Sequence, residues 1–204
     1  YFLKGNETSS QDNGIFRFVF LGGAIKPYRP DLALKFVYEL IKHGYNCHVD
    51  FINERDHEQI YSAAKEVNFP LDQISVYKLE NSCIPSVLPQ FDCGLIFNNP
   101  SRWRRVSSPT KFGEYLAAGL HTVALNGISV LEEFAESTNC VDLVSQQDLY
   151  GGLPTHKIGQ IVTNIRDPRR RNRCKKLAKR EFSLDKANKL YAELYSEIEV
   201  QIQK

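Results

Sequence analysis

Ile15-Phe16-Arg17-Phe18-Val19-Phe20-Leu21-Gly22-Gly23 is a mostly apolar run closed by paired glycines. After Pro30 comes Asp31-Leu32-Ala33-Leu34-Lys35-Phe36-Val37-Tyr38-Glu39-Leu40-Ile41-Lys42-His43-Gly44, and soon after it Cys47-His48-Val49-Asp50-Phe51-Ile52. Together these stretches decide the fold. The outer two are short, rich in Val, Ile and Phe, and bounded by turn residues, as strands are. The middle one sets Leu32, Phe36 and Leu40 beside Ala33, Val37 and Ile41, the spacing of a helix with one buried face. Asp31 after a proline suits an N-cap, and Gly44 suits the position just past the last turn. A strand, a helix and a strand joined this closely make a parallel pair with the helix packed on one face.

The alternation continues outward. Further strands are expected at Ile74 to Leu79, Gly94 to Phe97, Leu120 to Leu125 and Val141 to Val144. Asp56 and Gln59 form an expected capping box for a helix carrying Ile60, Ala63, Ala64 and Val67. Other helices are expected at Ile84 to Gln90, Pro109 to Ala118, Val130 to Glu136, and from Thr155 onward with a break at Asp167-Pro168. The predicted fold is a Rossmann-like, doubly wound α/β domain: a parallel sheet of about six strands with helices on both faces. Residues 1–14 read as a polar linker or frayed start, 15–183 as the sheet domain, and 184–204 as a separate C-terminal helix.

Composition agrees. The chain has 204 residues, 42% hydrophobic and 25% charged, which excludes a disordered chain, a fibrous repeat and a disulfide-stapled scaffold. The net charge of +2 favours neither anionic nor cationic partners. The absence of Met and the opening Tyr1 point to a piece of a longer protein. Cys47, Cys83, Cys93, Cys140 and Cys174 show no CxxC spacing, so they read as buried free thiols of a reducing compartment. No stretch approaches the ~20 apolar residues of a membrane span.

In doubly wound sheets ligands bind at the carboxyl ends of the strands, and two loops there carry unusual chemistry. In Ser107-Ser108-Pro109-Thr110-Lys111-Phe112-Gly113-Glu114-Tyr115-Leu116-Ala117-Ala118-Gly119, Ser108 is placed as N-cap and Pro109 as first helical residue. Free backbone amides and the positive end of the helix dipole make that start an anion site, to which Thr110 adds a hydroxyl and Lys111 a charge. Periodicity turns Phe112, Tyr115, Leu116 and Gly119 to the sheet, and groups Ser107, Lys111, Glu114 and Ala118 on the adjacent side. Glu114 then lies a turn beyond a bound phosphate, where its carboxylate could accept two hydrogen bonds from a ribose diol. The other loop, Gly22 to Pro30, offers Gly23 for close backbone approach and Lys26 and Arg29 as candidate phosphate ligands. Its glycine spacing fits neither a dinucleotide fingerprint nor a Walker loop.

The Ser108-Pro109-Thr110-Lys111-x-x-Glu114-Tyr115-Leu116-Ala117-Ala118-Gly119 stretch resembles the donor-site helix of retaining GT-B glycosyltransferases, glycosyltransferase family 4 and its relatives. The passage from Phe20-Leu21-Gly22-Gly23 through Lys26 and Arg29 is similar too, as is the ending from Glu181 to Tyr195. The resemblance covers about residues 15–198, the nucleotide-sugar-binding half of that fold. It implies a nucleoside-diphosphate sugar as donor substrate, no cofactor and no metal. Ser107, Ser108, Thr110, Lys111 and Gly23, with Lys26 or Arg29, would hold the diphosphate, and Glu114 the ribose. Catalytic residues on the acceptor side would belong to an N-terminal domain of the same protein, toward which the last helix would cross. Relatives carry an earlier Glu where this chain has Val106, and a Pro where it has His121.

Arg102-Trp103-Arg104-Arg105 forms a basic loop that could close over donor or acceptor phosphates. Between Arg166 and Arg180 stand nine basic residues against one acid, Asp167. A solvated helix face explains them most simply, and an anionic membrane surface or lipid-linked acceptor is the next role open to them. The expected location is the cytoplasm, including the inner membrane face, and nucleic acid is not an expected partner. Three rival functions stand beside glycosyl transfer: an epimerase-like enzyme acting on nucleotide sugars, a non-catalytic nucleic-acid or membrane module built on 166–180, and an ordinary dinucleotide-binding Rossmann domain, which the missing fingerprint disfavours.

Overall fold

The computed structural model describes residues 14–99 and 110–202. Six parallel strands form one sheet in the order β3-β2-β1-β4-β5-β6. They are β1 (Ile15–Leu21), β2 (Asn46–Ile52), β3 (Ile74–Tyr77), β4 (Cys93–Ile96), β5 (His121–Leu125) and β6 (Val141–Val144). The helices are α1 (Pro30–Lys42), α2 (His57–Glu66), α3 (Ile84–Val87), α4 (Thr110–Ala118), α5 (Ser129–Ser137), α6 (Gln146–Gly151), α7 (Thr155–Arg166), α8 (Arg170–Phe182) and α9 (Leu184–Ile202). The doubly wound parallel sheet expected from the alternation is present, and all six expected strands occur within two residues of their expected bounds.

Two cores sandwich the sheet. Phe16, Phe18 and Phe20 point to one face and pack with α1, α2, α6 and α7; Val19 and Leu21 point to the other and pack with α4, α5 and α8. β4 and β5 are fully buried because helices cover both their faces; β4 is apolar, and β5 is apolar apart from the buried His121 and Thr122. Full burial of one large apolar side chain contributes about 1.5–3 kcal/mol, so these layers carry most of the stability.

Helix α4 is seated at the centre of its face. Phe112, Tyr115 and Leu116 are fully buried, as their spacing predicts. The Tyr115 ring lies on β4 so closely that a Cβ on Gly94 would stand 2.2 Å from its Cδ2. Its hydroxyl accepts a hydrogen bond from the Leu21 amide at 3.0 Å. Gly113 faces Phe182, and Gly119, at φ +82°, faces the backbone of Arg171, so α4 and α8 run antiparallel. Ala118 departs from its expected side: it is buried, because α8 covers that face of α4.

Four further expectations are corrected. Asp56 precedes α2 without a side-chain cap; its Oδ2 instead accepts the Ala24 amide at 2.9 Å. Asp31 is inside α1 rather than at its N-cap, which is Arg29. Helix α6 is an addition to the expected elements; Ser145 and Asp148 form its capping box, and Leu149 is its one buried residue. Cys83 is exposed, while the other four cysteines are buried free thiols.

The basic segment is largely architectural. Arg170 is buried, donating to the Ile165 carbonyl and, at 3.3 Å, to Asp92. Arg171 donates to the Phe91 carbonyl at 3.1 Å, and Arg173 to Asp167 and to the Asn139 carbonyl. Arg166 stacks over Phe16, 4.7 Å from its centroid. These contacts fasten α8 beneath the amino ends of the strands. Arg169, Lys175, Lys176, Lys179 and Arg180 stay exposed. Among the described residues no helix is long and apolar enough to cross a membrane.

Candidate functional site

A cavity of about 550 Å³ opens at the carboxyl ends of β1, β2 and β3, where the topology of a doubly wound sheet places ligands. Leu21, Ile52, Leu79 and Ile84 give it apolar surface, and Gly22, Gly23 and Lys111 of α4 also line it. The loop after β2, Asn53-Glu54-Arg55-Asp56, contributes further lining.

Asn53 splints these loops. It is buried, and its Nδ2 donates to the Gly22 carbonyl at 2.6 Å while its Oδ1 accepts the amides of Arg55 and Asp56 at 2.8 and 2.6 Å. With the Asp56–Ala24 bond, the first loop is held from two sides. Gly22 has φ +146°, a conformation open to glycine, and a Cβ there would stand 2.8 Å from the Tyr28 ring. Gly23 packs against the same ring, where a Cβ would stand 3.1 Å from Tyr28 Cδ2. The paired glycines therefore make room for Tyr28 as well as lining the cavity.

The expected phosphate ligands separate in space. Gly23 and Lys111 line the cavity. Thr110 opens α4 and is exposed. Lys26 is exposed and lines a neighbouring depression of about 320 Å³ against α2, with Gln59, Ser62 and Glu66. Arg29 is engaged elsewhere: its Nε and Nη2 grip both oxygens of Asp31 at 2.8 and 2.6 Å, and its Nη1 donates to Asn99 at 2.9 Å. Hydrogen bonding to Asp31 raises its pKa above the ordinary arginine value, against the opposing effect of burial. Arg29 thus straps the first loop to the loop after β4. Ser107, Ser108, Val106 and the Arg102–Arg105 loop lie outside the described residues.

Lys111 and Glu114 form an ion pair, with Nζ 3.2 Å from each carboxylate oxygen and the side chains 37% and 39% exposed. Glu114 is not among the cavity's lining residues; it meets the cavity through Lys111. Sequence reasoning missed Arg55 and Lys78 as lining cations. The signal was available, since both follow strands at their carboxyl ends. Lys78 is 3.3 Å from Glu54 in an exposed pair, and Arg55 makes no side-chain ion pair among the described residues. Three carboxylates, Glu54, Asp56 and Glu80, share the lining. The cavity therefore combines apolar surface with charge of both signs, Glu54, Asp56 and Glu80 against Arg55, Lys78 and Lys111.

No protein-family model matches this sequence, and no curated protein matches it. Solved structures match its fold. WaaG, a glycosyltransferase involved in lipopolysaccharide biosynthesis, superposes over 84% of this chain with a TM-score of 0.60 at 11% identity. A UDP-forming α,α-trehalose-phosphate synthase from Burkholderia xenovorans does so over 89%, with 0.63 at 13%. The pneumococcal O-GlcNAc transferase GtfA, solved with UDP and GlcNAc, does so over 93%, with 0.62 at 15%. The chain spans 44%, 44% and 37% of those three chains, less than half of each. It has the fold of one half of a GT-B glycosyltransferase.

Proposed function

We propose that this chain is the donor-binding domain of a glycosyltransferase, which moves a sugar from a nucleoside-diphosphate sugar to a hydroxyl acceptor in glycan, polysaccharide or glycolipid synthesis. The carrying observation is the cavity at the strand ends, lined by both Gly22-Gly23 and Lys111. Its apolar surface suits the flat nucleobase, and the start of α4 suits the diphosphate. In transfer, the bond from the anomeric carbon to the β-phosphate oxygen breaks as the acceptor oxygen bonds to that carbon, and the acceptor's hydroxyl proton passes to the departing diphosphate. Negative charge then grows on the departing diphosphate. Lys111 and the Thr110 hydroxyl, with the amides of Ser107 and Ser108 that the resemblance implies, would stabilise that charge without a metal ion. Glu114 would accept the ribose hydroxyls.

The bonds held by Arg29 leave Lys26 as the freer first-loop candidate for phosphate, although it lines the neighbouring depression, since an exposed Lys side chain can swing while a doubly held guanidinium cannot. Because this chain spans less than half of each of those structural neighbours, the acceptor side of the cleft is proposed to come from another domain of the same protein. The exposed face of α9, with Leu190, Tyr191, Leu194 and Tyr195 all at least half exposed, is the proposed contact.

The test is titration of UDP, GDP and ADP against the wild-type chain and Glu114→Ala. One of the three is expected to bind wild type, and Glu114→Ala to weaken it about tenfold, the loss of a charge-assisted hydrogen bond of roughly 1.5 kcal/mol. Equal affinity in both removes Glu114 from the ribose role. Absence of binding by all three removes the donor-site reading.

A further inference from the structure

On α4 the lysine that lines the cavity and the carboxylate proposed to grip ribose are bonded to each other. Lys111 Nζ is 3.2 Å from both Glu114 oxygens, so each group is the other's partner. The pairing is not explained by helix stability. Lys111 precedes its acidic partner on α4, the weaker order for a helical pair. Both side chains are more than a third exposed, where ion pairs contribute little. In the pair, each of these two candidate binding groups has its charge partly neutralised by the other. A diphosphate approaching alone meets a cation whose charge is already shared with a carboxylate. A nucleoside approaching alone finds both acceptor oxygens of Glu114 facing an ammonium. When both arrive on one molecule, Lys111 turns to phosphate and frees Glu114 for the diol.

We propose that the Lys111–Glu114 pair couples the two halves of the site, so that it favours ligands carrying a diphosphate and a vicinal diol together over either part alone. This rests on the donor-site reading above and adds a specificity device to it. Each part of the ligand releases the group that the other part needs, a form of coupling between neighbouring sites through one shared element.

The test uses the whole chain and two probes, inorganic pyrophosphate and UDP, with wild type, Glu114→Gln, Lys111→Gln and the double variant. In wild type, UDP should bind at least tenfold more tightly than pyrophosphate. Glu114→Gln should tighten pyrophosphate several-fold while weakening UDP. In the Lys111→Gln background, adding Glu114→Gln should give no such gain for pyrophosphate, because the carboxylate acts by holding that ammonium. A gain of equal size in both backgrounds would reduce Glu114 to a general repulsive charge and overturn the coupling, as would no gain in either. Failure of UDP, GDP and ADP to bind wild type would instead strike the donor-site reading, while the pyrophosphate comparison would still report on the pair. Far-ultraviolet circular dichroism of the four proteins should coincide, since both side chains are solvent-accessible on one helix.

Discussion

At the carboxyl end of the sheet, Lys111 is 37% exposed, borders an open cavity and shares its charge with one neighbouring carboxylate. At the amino end, the Arg170 side chain is 7% exposed and is bonded to a backbone carbonyl and to Asp92. Both are cations on helices packed against the same face of the same sheet. Their surroundings differ: the arginine joins α7, α8 and the start of β4, while the lysine side chain stays accessible at the cavity. A run of basic residues is therefore a poor guide to an anionic partner when long-range carbonyls and carboxylates take up its arginines, as they do for Arg170, Arg171 and Arg173.

The contrast can be broken first at the amino end. Arg170→Ala leaves the Ile165 carbonyl and Asp92 short of a buried partner and should cost about 3–5 kcal/mol, read as a lower urea midpoint. A loss below about 1 kcal/mol would show that the arginine is not architectural. Next is the joint between α4 and the sheet. Tyr115→Phe removes the acceptor of the Leu21 amide and should cost about 1–3 kcal/mol. Because Leu21 also lines the cavity, this variant should weaken nucleotide binding in step with its stability.

A third test uses pH. Burial would raise the pKa of Asp142, but hydrogen bonds donated by His121 at 2.9 Å, Asn164 at 2.9 Å and Gln160 at 3.1 Å outweigh it, and the carboxyl is held below its ordinary value. A carboxyl lowered by folding adds stability above its unfolded pKa, near 3.9, and loses it as the pH falls through the folded value. Thermal midpoints should therefore drop as pH falls below about 4, and Asp142→Asn should flatten that part of the curve while lowering the midpoint at neutral pH. An unchanged slope in the variant would exclude Asp142 as a source of the acid sensitivity.

The architecture was legible because it depends on local periodicity. Apolar runs of strand length, helices with one buried face and Gly44 at a helix end are written in neighbouring residues. The site was legible only in part, because its assignments depend on distant partners. Nothing near Arg29 in the chain announces Asn99, and nothing near Asp56 announces Ala24, 32 residues away. Asp56 followed by Gln59 has the form of a capping box, yet its carboxylate is worth more joining two loops that wall the cavity. Helix α6 is silent in the sequence because Leu149 is its one buried residue, too few for a periodic signal. The Lys111–Glu114 spacing was visible, but the bond between them is a fact of the folded helix.

The smallest expected effect on stability belongs to the residue with the largest expected effect on function. Lys111→Ala should shift stability by no more than about 0.5 kcal/mol, as exposed substitutions do. Calorimetric titration of UDP, GDP and ADP into wild type and Lys111→Ala at one fixed salt concentration tests the central claim most directly. The account predicts that one of the three binds wild type and that the variant binds it about ten- to a hundredfold more weakly, with the thermal midpoint of the free protein unchanged. Equal affinities in the two proteins, or no heat with any of the three, would contradict it.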